Sequence, residues 1–344
     1  MKNVFIDTSS MRNKAFDFEG RTLRALRDLC QKGQARVLIT SVTRRECEKH
    51  LADMCDQTIQ RAAKVNVLLR NVGEKEIDLS NIKERMQERW NQFLKDVGAI
   101  EVPISTVDLD QIFENYFHVE PPFEQGKKHE FPDAIVANAL NTWGEQEKEN
   151  VVIVTGDGGF RDIKAPNIES IETIEKFISE TNKEIEAANY ERAEVAFKKA
   201  LDPLEDEIEN SLEGYFYDLP NEWFGEVADF IVEQVKIHTD AYYINVDQND
   251  CVVDFDADID FSASISFAKD SRVYRDSDTK DFVAVEQESV SVSKSFSTTF
   301  SAELQYDEDG HVAITKITGP REVSFEVELE ELDGYEVTIE GNRH

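Results

Sequence analysis

Three aspartates stand at positions where their carboxylates could act together on one substrate. Asp7 follows the short apolar run Val4–Ile6, and Asp157 follows the apolar run Val151–Val154 and two further residues. Asp133 comes directly after a proline, at the start of a helical pattern. Carboxylates forced together repel one another, and burying each costs free energy unless a cation neutralises it. Hard divalent cations with oxygen ligands are the usual solution, so the residues indicate metal-dependent chemistry.

The elements that must position these acids are the strands and helices of an α/β sheet. Short apolar runs such as Val4–Ile6 and Val151–Val154 are typical of strands buried on both faces of a parallel sheet. Residues 37–39, 100–104 and 167–171 predict three more strands. Open α/β sheets place ligand sites beyond the carboxyl ends of their strands. The sequence therefore predicts a parallel α/β domain over residues 1–180, with the three aspartates at one edge.

Two stretches of this domain carry many charged residues. Residues 51–98 predict a helical insertion of two helices, broken near Gly73. Residues 20–31 predict a helix with Arg21, Arg24 and Arg27 along one face. This basic stripe is typical of a solvated helix face, and contact with phosphates is the alternative.

Composition bounds the class of protein. The 344 residues are 40% hydrophobic, which is enough for two or three domains with real cores. No apolar run approaches the length of a membrane span, and the first residues lack the apolar segment of a signal peptide. The lack of a spanning run predicts no membrane partner, and the four cysteines, which form no paired motif, favour a reducing cytoplasm.

The net charge of −33 is unevenly distributed. Residues 1–165 hold 24 Lys and Arg against 27 Asp and Glu, a net charge of −3, whereas residues 166–344 hold 14 against 44, a net charge of −30. Such asymmetry predicts different partners for the two halves.

The second half changes its period near residue 240. Residues 181–240 predict an acidic helical connector, interrupted at Pro203 and containing a helix over residues 223–235. From Val253 to Phe267 apolar residues alternate strictly with aspartate and serine, which predicts a long half-exposed strand. Similar patterns over 290–304 and 323–329, with a turn signal at Asp307–Gly310, predict an antiparallel β domain of unknown role over residues 241–344. Its row of aspartates indicates either a solvated face or, alternatively, a calcium site.

Residues 1–180 resemble the PIN domain family of metal-dependent nucleases. The resemblance rests on VFIDTS at the start, RRE after the second strand, FPDAIVANAL, and VTGDGGF. The family places one acid in each motif, here Asp7, Glu46, Asp133 and Asp157. Glu46 taken alone is typical of a surface glutamate, and only the resemblance adds it to the set.

The resemblance implies both a fold and a chemistry. It implies a three-layer α/β PIN-like domain and an endoribonuclease that uses one or two Mg²⁺ or Mn²⁺ ions, leaving a 5′-phosphate and a 3′-hydroxyl. All four acids are expected to be catalytic and to ligate metal. Thr155 and Asp162 are expected to support the site, and Lys127, Lys128 and Arg161 to bind substrate. A bacterial toxin or phage-defence effector is the biological role expected by family analogy.

Two rivals to the endoribonuclease stay open. One is a structure-specific DNA nuclease from the same broad fold group, and the other is a catalytically silent PIN scaffold that binds protein or nucleic acid. The acidic second half should repel RNA over about a Debye length of 8 Å at physiological salt. We therefore expect it to dock a protein partner or another copy of the chain, with exclusion of substrate from the acidic site as the alternative.

Overall fold

The computed structural model describes residues 1–123, 130–212, 217–218, 225–268, 273–275, 282–284, 287–307, 309–320 and 323–324. The chain divides into two compact units, Met1–Ile185 and Glu186–His344. The predicted connector, residues 181–240, is thereby divided between the two units.

A five-stranded parallel sheet forms the centre of the first unit. Its strands are Lys2–Ile6 (β1), Ala35–Thr40 (β2), Ile100–Val102 (β3), Val151–Val154 (β4) and Ile168–Ile171 (β5), in the spatial order β3-β2-β1-β4-β5. The largely buried strands β1 and β4 are neighbours at its centre. Because all pairs are parallel, the carboxyl ends of β1 and β4 meet at the same edge, as the sequence predicts.

Eight helices lie in the described part of the first unit. They are Thr8–Asn13 (α1), Arg21–Gln31 (α2), Ser41–Val72 (α3), Ile82–Asp96 (α4), Leu109–His118 (α5), Phe131–Glu147 (α6), Gly158–Arg161 (α7) and Ile174–Ile185 (α8), with a short 3₁₀ turn at Ile104–Thr106. The two predicted helices of the insertion are present, but the first of them continues α3 from its start beside β2. The left-handed Gly73 ends α3.

The helices cover both faces of the sheet. On one face Val4, Val37 and Val154 pack with α2, α4 and α8. On the other face Phe5 and Ile153 pack with α6 and with Phe160 of α7. Successive strand residues thus enter opposite cores, which gives the three-layer α/β architecture that the family resemblance implies.

A long helix and an antiparallel sheet form the second unit. The helix is Ala187–Leu212 (α9), which runs through Pro203. The strands are Tyr217–Asp218 (β6), Gly225–Ile237 (β7), Tyr242–Val246 (β8), Asp250–Ala268 (β9), Val273–Arg275 (β10), Phe282–Ala284 (β11), Gln287–Tyr306 (β12), Val312–Thr318 (β13) and Val323–Ser324 (β14). The main sheet has the order β13-β12-β9-β7, and β8 also pairs with β9.

The predicted alternation along β9 separates a buried face from an acidic one. Phe255, Ala257 and Ile259 are buried, and they share a core with Phe197 of α9, whose ring centre lies 5.2 Å from that of Phe255. Asp256 and its alternating neighbours stand on the other face, where they accept hydrogen bonds from β12 hydroxyls such as that of Thr299. The predicted turn at Asp307–Gly310 joins β12 to β13.

The helix predicted over residues 223–235 is wrong, because Gly225–Ile237 is strand β7. The register of β7 against β9 shifts between Val227 and Asp229 and again between Val232 and Gln234. Because of the second shift, the buried residue that follows Val232 is Val235, three positions later, and then Ile237. A spacing of three between buried residues resembles that of a helical face. Of the strand predicted over 323–329, residues after 324 lie outside the described part of the chain.

No helix among the described residues combines the length and the apolar character needed to cross a membrane.

Gly144 of α6 tests how tightly the helix that carries Asp133 is packed. A Cβ atom at this position would lie 2.8 Å from Asn167 Cβ and 2.8 Å from the Glu149 carbonyl oxygen. We expect Gly144→Ala to lower the free energy of unfolding by about 1–3 kcal/mol, because a backbone neighbour must move. The matched control is Gly158→Ala, where an added Cβ meets no atom within 4 Å. Equal denaturation midpoints for the two variants would contradict this packing.

Candidate active site

Asp7 stands at the end of β1 and caps α1. Its Oδ1 accepts a hydrogen bond from the Thr8 backbone N–H at 2.7 Å, and its Oδ2 accepts one from the Ser9 N–H at 3.3 Å. The Asp7 N–H donates to the Val154 carbonyl at 2.9 Å. Asp7 is therefore fixed at the junction of the two central strands.

Thr155 connects the ends of β1 and β4. Its side chain is fully buried, and its hydroxyl donates to Asp7 Oδ2 at 3.1 Å while accepting from the Asp157 N–H at 3.0 Å. Asp157 caps α7 through a hydrogen bond from the Phe160 N–H to Oδ1 at 3.1 Å. The predicted supporting residue Thr155 thus holds two predicted acids in fixed relation.

Glu46 lies in the second turn of α3 and points toward the same edge. Its Oε2 accepts a hydrogen bond at 3.0 Å from the buried Thr8 hydroxyl, and Thr8 is adjacent to Asp7. No local pattern singles out Thr8 for this role, since the contact spans 38 residues. The structure thus adds Thr8 as a positioning residue that sequence reasoning missed.

Asp133 is half-buried in the first turn of α6 and differs from the other three acids. Among the described residues no group donates a hydrogen bond to its carboxylate. Burial, followed by the charges of Asp7, Glu46, Asp157 and Glu130, raises its pKa to about 7. The structure therefore places the four predicted acids near one another, and the described residues give Asp133 no compensating partner.

Glu130 is a fifth acid beside this group. It lies one turn before Ala134 and is 8% exposed, although the sequence gives no reason to separate it from the surface acids around it. Its charge contributes to the raised pKa of Asp133.

The donor set suits a hard divalent cation. It consists of carboxylates, and Asp133 in particular has like charges around it and no hydrogen-bond donor in the described part of the chain. No three of the four acids bring ligand atoms within 4.8 Å of one another. Their spacing leaves room for water ligands, which Mg²⁺ retains in most protein sites.

The remaining predicted site residues lie at the margin or outside the described chain. Asp162 is exposed and ends α7. The Arg161 guanidinium pairs with Glu172 at 3.3 Å, which offsets its charge. Lys127 and Lys128 lie outside the described residues.

The basic stripe on α2 is partly neutralised. Arg27 lies 3.7 Å from a Glu19 carboxylate oxygen and 4.0 Å from an Asp96 oxygen. These ion pairs favour the solvated helix face over a phosphate-binding surface.

Within the described residues, one group brings three potential ligand atoms within 4.8 Å of one another: Asp307, Asp309 and His311 in the β12–β13 turn. All three are exposed, and His311 Nδ1 and its N–H contact the Asp307 carboxylate at 3.0 and 2.9 Å. These hydrogen bonds account for the group as part of a β-turn.

The comparison with known families agrees with the geometry. Residues 4–160 match the family model of the PIN domain. The matched segment contains all four acids and lies within the first unit. It spans less than half of the 344 residues, and no curated protein matches the chain.

Replacing Asp133 by Asn should stabilise the metal-free protein in a pH-dependent way. Between pH 3.8 and about 7, folded Asp133 retains a proton that the unfolded chain releases, so its contribution to stability falls as pH rises through this range. We expect Asp133→Asn to raise the melting temperature in EDTA at pH 8.5, by about 2–4 °C for each kcal/mol recovered. At pH 3.5 both side chains are neutral, and the gain should vanish. A gain of equal size at both pH values would contradict the raised pKa.

Proposed function

Since the first unit of this chain is a PIN domain, a family whose members are generally metal-dependent nucleases, we propose that the protein is a divalent-metal-dependent endoribonuclease. The observation that carries the proposal is the half-buried Asp133 carboxylate, which lies among three other acids and has no hydrogen-bond donor in the described chain. A bound cation would neutralise these charges, and without one the burial and mutual repulsion of the carboxylates cost free energy.

The proposed ligands of Mg²⁺ or Mn²⁺ are Asp7, Glu46, Asp133 and Asp157. When bound, one or two such ions neutralise charge on the scissile phosphate and make a water nucleophilic at neutral pH. The chain's own contribution is preorganisation. Because two backbone N–H groups and the Thr155 hydroxyl orient Asp7, its carboxylate does not have to reorganise during the reaction.

Glu46 and Asp157 are held in the same manner, by Thr8 and by the Phe160 N–H. Glu46 Oε1 and Asp157 Oδ2 have no hydrogen-bond partner in the described chain, so each acid keeps one oxygen for a ligand. Attack of a water on phosphorus, with cleavage of the P–O3′ bond and protonation of the leaving O3′, would leave the 5′-phosphate and 3′-hydroxyl ends that the family resemblance implies.

The choice of RNA, and of a toxin or phage-defence setting, rests on family analogy. A reducing cytoplasm suits the four cysteines, all of which are free thiols. A DNA nuclease and a silent binding scaffold are the outcomes that the cleavage assay must distinguish.

The assay compares single-stranded RNA and DNA of the same sequence with Mg²⁺, Mn²⁺ or EDTA. We expect RNA cleavage with either metal, and a fall of about 100-fold or more in Asp7→Asn and Asp133→Asn, because an amide is a poorer ligand for a hard cation. The matched control is Asp53→Asn, an exposed aspartate of α3. Preferred cleavage of DNA would identify the DNA nuclease. Absence of cleavage, or full activity in either acid variant, would contradict the proposed reaction.

The acidic second unit is proposed to dock a protein partner or another copy of the chain. Counted by unit, residues 1–185 hold 26 Lys and Arg against 32 Asp and Glu, and residues 186–344 hold 12 against 39. The net charges are therefore −6 and −27. The aspartate face of β9 is rigidly placed in the sheet, which suits a specific contact better than RNA binding.

A chain ending at Ile185 should therefore bind RNA at least as tightly as the full chain. Both affinities should fall steeply with salt, because phosphate contacts release counterions. Fluorescence anisotropy with a labelled RNA measures this, and circular dichroism checks that the shortened chain folds. If isolated residues 186–344 bind RNA and a folded chain of residues 1–185 does not, the two roles have been assigned the wrong way round.

A further inference from the structure

A cleft of about 810 Å³ opens beside the acidic site in the first unit. Its volume lies in the range of small-molecule sites. Its lining combines side-chain amides with proline, alanine and isoleucine surfaces: Asn138, Asn141, Ala137, Ile112, Pro122 and Pro166 among others.

Two of the elements that bear acids of the site, α6 and α7, also line this cleft. Asp133 lies in the first turn of α6, and the following two turns bring Ala137, Asn138 and Asn141 to the cleft wall. Asn138 lies about 7.5 Å along the helix from Asp133, at 1.5 Å per residue. Helix α7 is capped by Asp157 at its start and by Asp162 at its end, and Asp162 lines the cleft. An RNA strand whose scissile phosphate lies at the four acids would place a neighbouring nucleotide in this cleft.

Two asparagines present their amide donors in fixed orientations. Asn138 Oδ1 accepts the Asp108 backbone N–H at 3.0 Å, and Asn141 Oδ1 accepts the Asn167 N–H at 3.3 Å. A backbone donor on each oxygen assigns which side of the amide carries the NH₂ group. Neither Nδ2 has a hydrogen-bond partner in the described part of the chain. The cleft therefore offers two oriented donors.

One cation and two carboxylates complete the lining, namely Lys164, Glu120 and Asp162. Lys164 is exposed at the cleft and makes no ion pair with any described residue. It differs in this from Arg161, which pairs with Glu172. These groups suit three features of a nucleotide. The ammonium group suits the phosphate, the apolar walls suit the face of the base, and the amide donors suit the edge of the base.

We propose that this cleft is a nucleotide subsite that reads a base through its carbonyl oxygens, with Asn138 and Asn141 as donors and Lys164 on the phosphate. The inference rests on the proposed nuclease function. Uracil, cytosine and guanine each carry a carbonyl oxygen that projects from the base edge and can accept a hydrogen bond from both amides through its two lone pairs. Adenine offers only ring nitrogens, each of which has a single lone pair and accepts one such bond. The subsite therefore disfavours adenine at one position near the cleaved bond.

The test is cleavage of a random-sequence RNA pool by the full chain, with the ends sequenced. We expect adenine to be depleted about fivefold at one position within two nucleotides of the cut, the effect of about one hydrogen bond. Asn138→Asp with Asn141→Asp keeps both acceptor oxygens and removes both donors, so the depletion should disappear. Gln146→Glu, an exposed position further along α6, adds the same kind of charge outside the cleft and should keep the depletion.

A binding measurement separates the subsite from the reaction. With the Asp7→Asn chain, U12 RNA should bind about fivefold more tightly than A12 RNA, and the Asn138→Asp, Asn141→Asp changes should remove the difference. Lys164→Gln should weaken the binding of both RNAs equally and reduce the magnitude of the slope of log affinity against log salt by about 1.

The outcomes distinguish the two claims. Cleavage without adenine depletion, or depletion that survives the double asparagine change, overturns the subsite and leaves the nuclease intact. Preferential U12 binding that depends on the asparagines, without any cleavage by the unmodified chain, supports the subsite and overturns the nuclease. If the chain neither cleaves RNA nor binds U12 preferentially, both the subsite and the nuclease are overturned.

Discussion

Mutual repulsion among carboxylates is the constraint on which the first unit depends. Parallel pairing of β1 with β4 brings Asp7 and Asp157 to one sheet edge, and α3 and α6 add Glu46 and Asp133. Burial, followed by the charges of the other acids, raises the pKa of half-buried Asp133 to about 7, so the fold holds this carboxylate where its ionised form is disfavoured. The carboxylates stay close together only because the surrounding three-layer core resists their mutual repulsion.

The contacts that hold the carboxylates in place against this repulsion are short, directional hydrogen bonds. Thr155 is fully buried and joins Asp7 to the Asp157 backbone, and Thr8 joins the start of α1 to Glu46. Each acid except Asp133 is thereby oriented by a neutral hydroxyl or a backbone N–H. In the described part of the chain the donors in these contacts are neutral, so the contacts leave in place the negative charge that a metal ion would neutralise.

The parts of this arrangement that were predictable have local causes. Asp7 and Asp157 follow uninterrupted apolar runs, and a proline marks the start of the helix that bears Asp133, so strand ends and a helix start could be read from neighbouring residues. Glu46 has no such signal, and only the family resemblance identified it. Thr8, Asn138, Asn141 and Lys164 gain their roles from contacts across the fold, which no local spacing encodes. The wrong helix at 223–235 has a physical cause as well, because bulges in β7 change the phase of its alternation.

The most direct measurement is the anomalous scattering of Mn²⁺ in crystals of the full chain. The account predicts an anomalous difference peak among the carboxylates of Asp7, Glu46, Asp133 and Asp157 in crystals grown above pH 7 with Mn²⁺. The same peak should be absent in crystals of Asp133→Asn. A well-ordered site without a peak there, in crystals that show Mn²⁺ elsewhere, such as at Asp307 and Asp309, would contradict the claim that these four acids are organised around a cation.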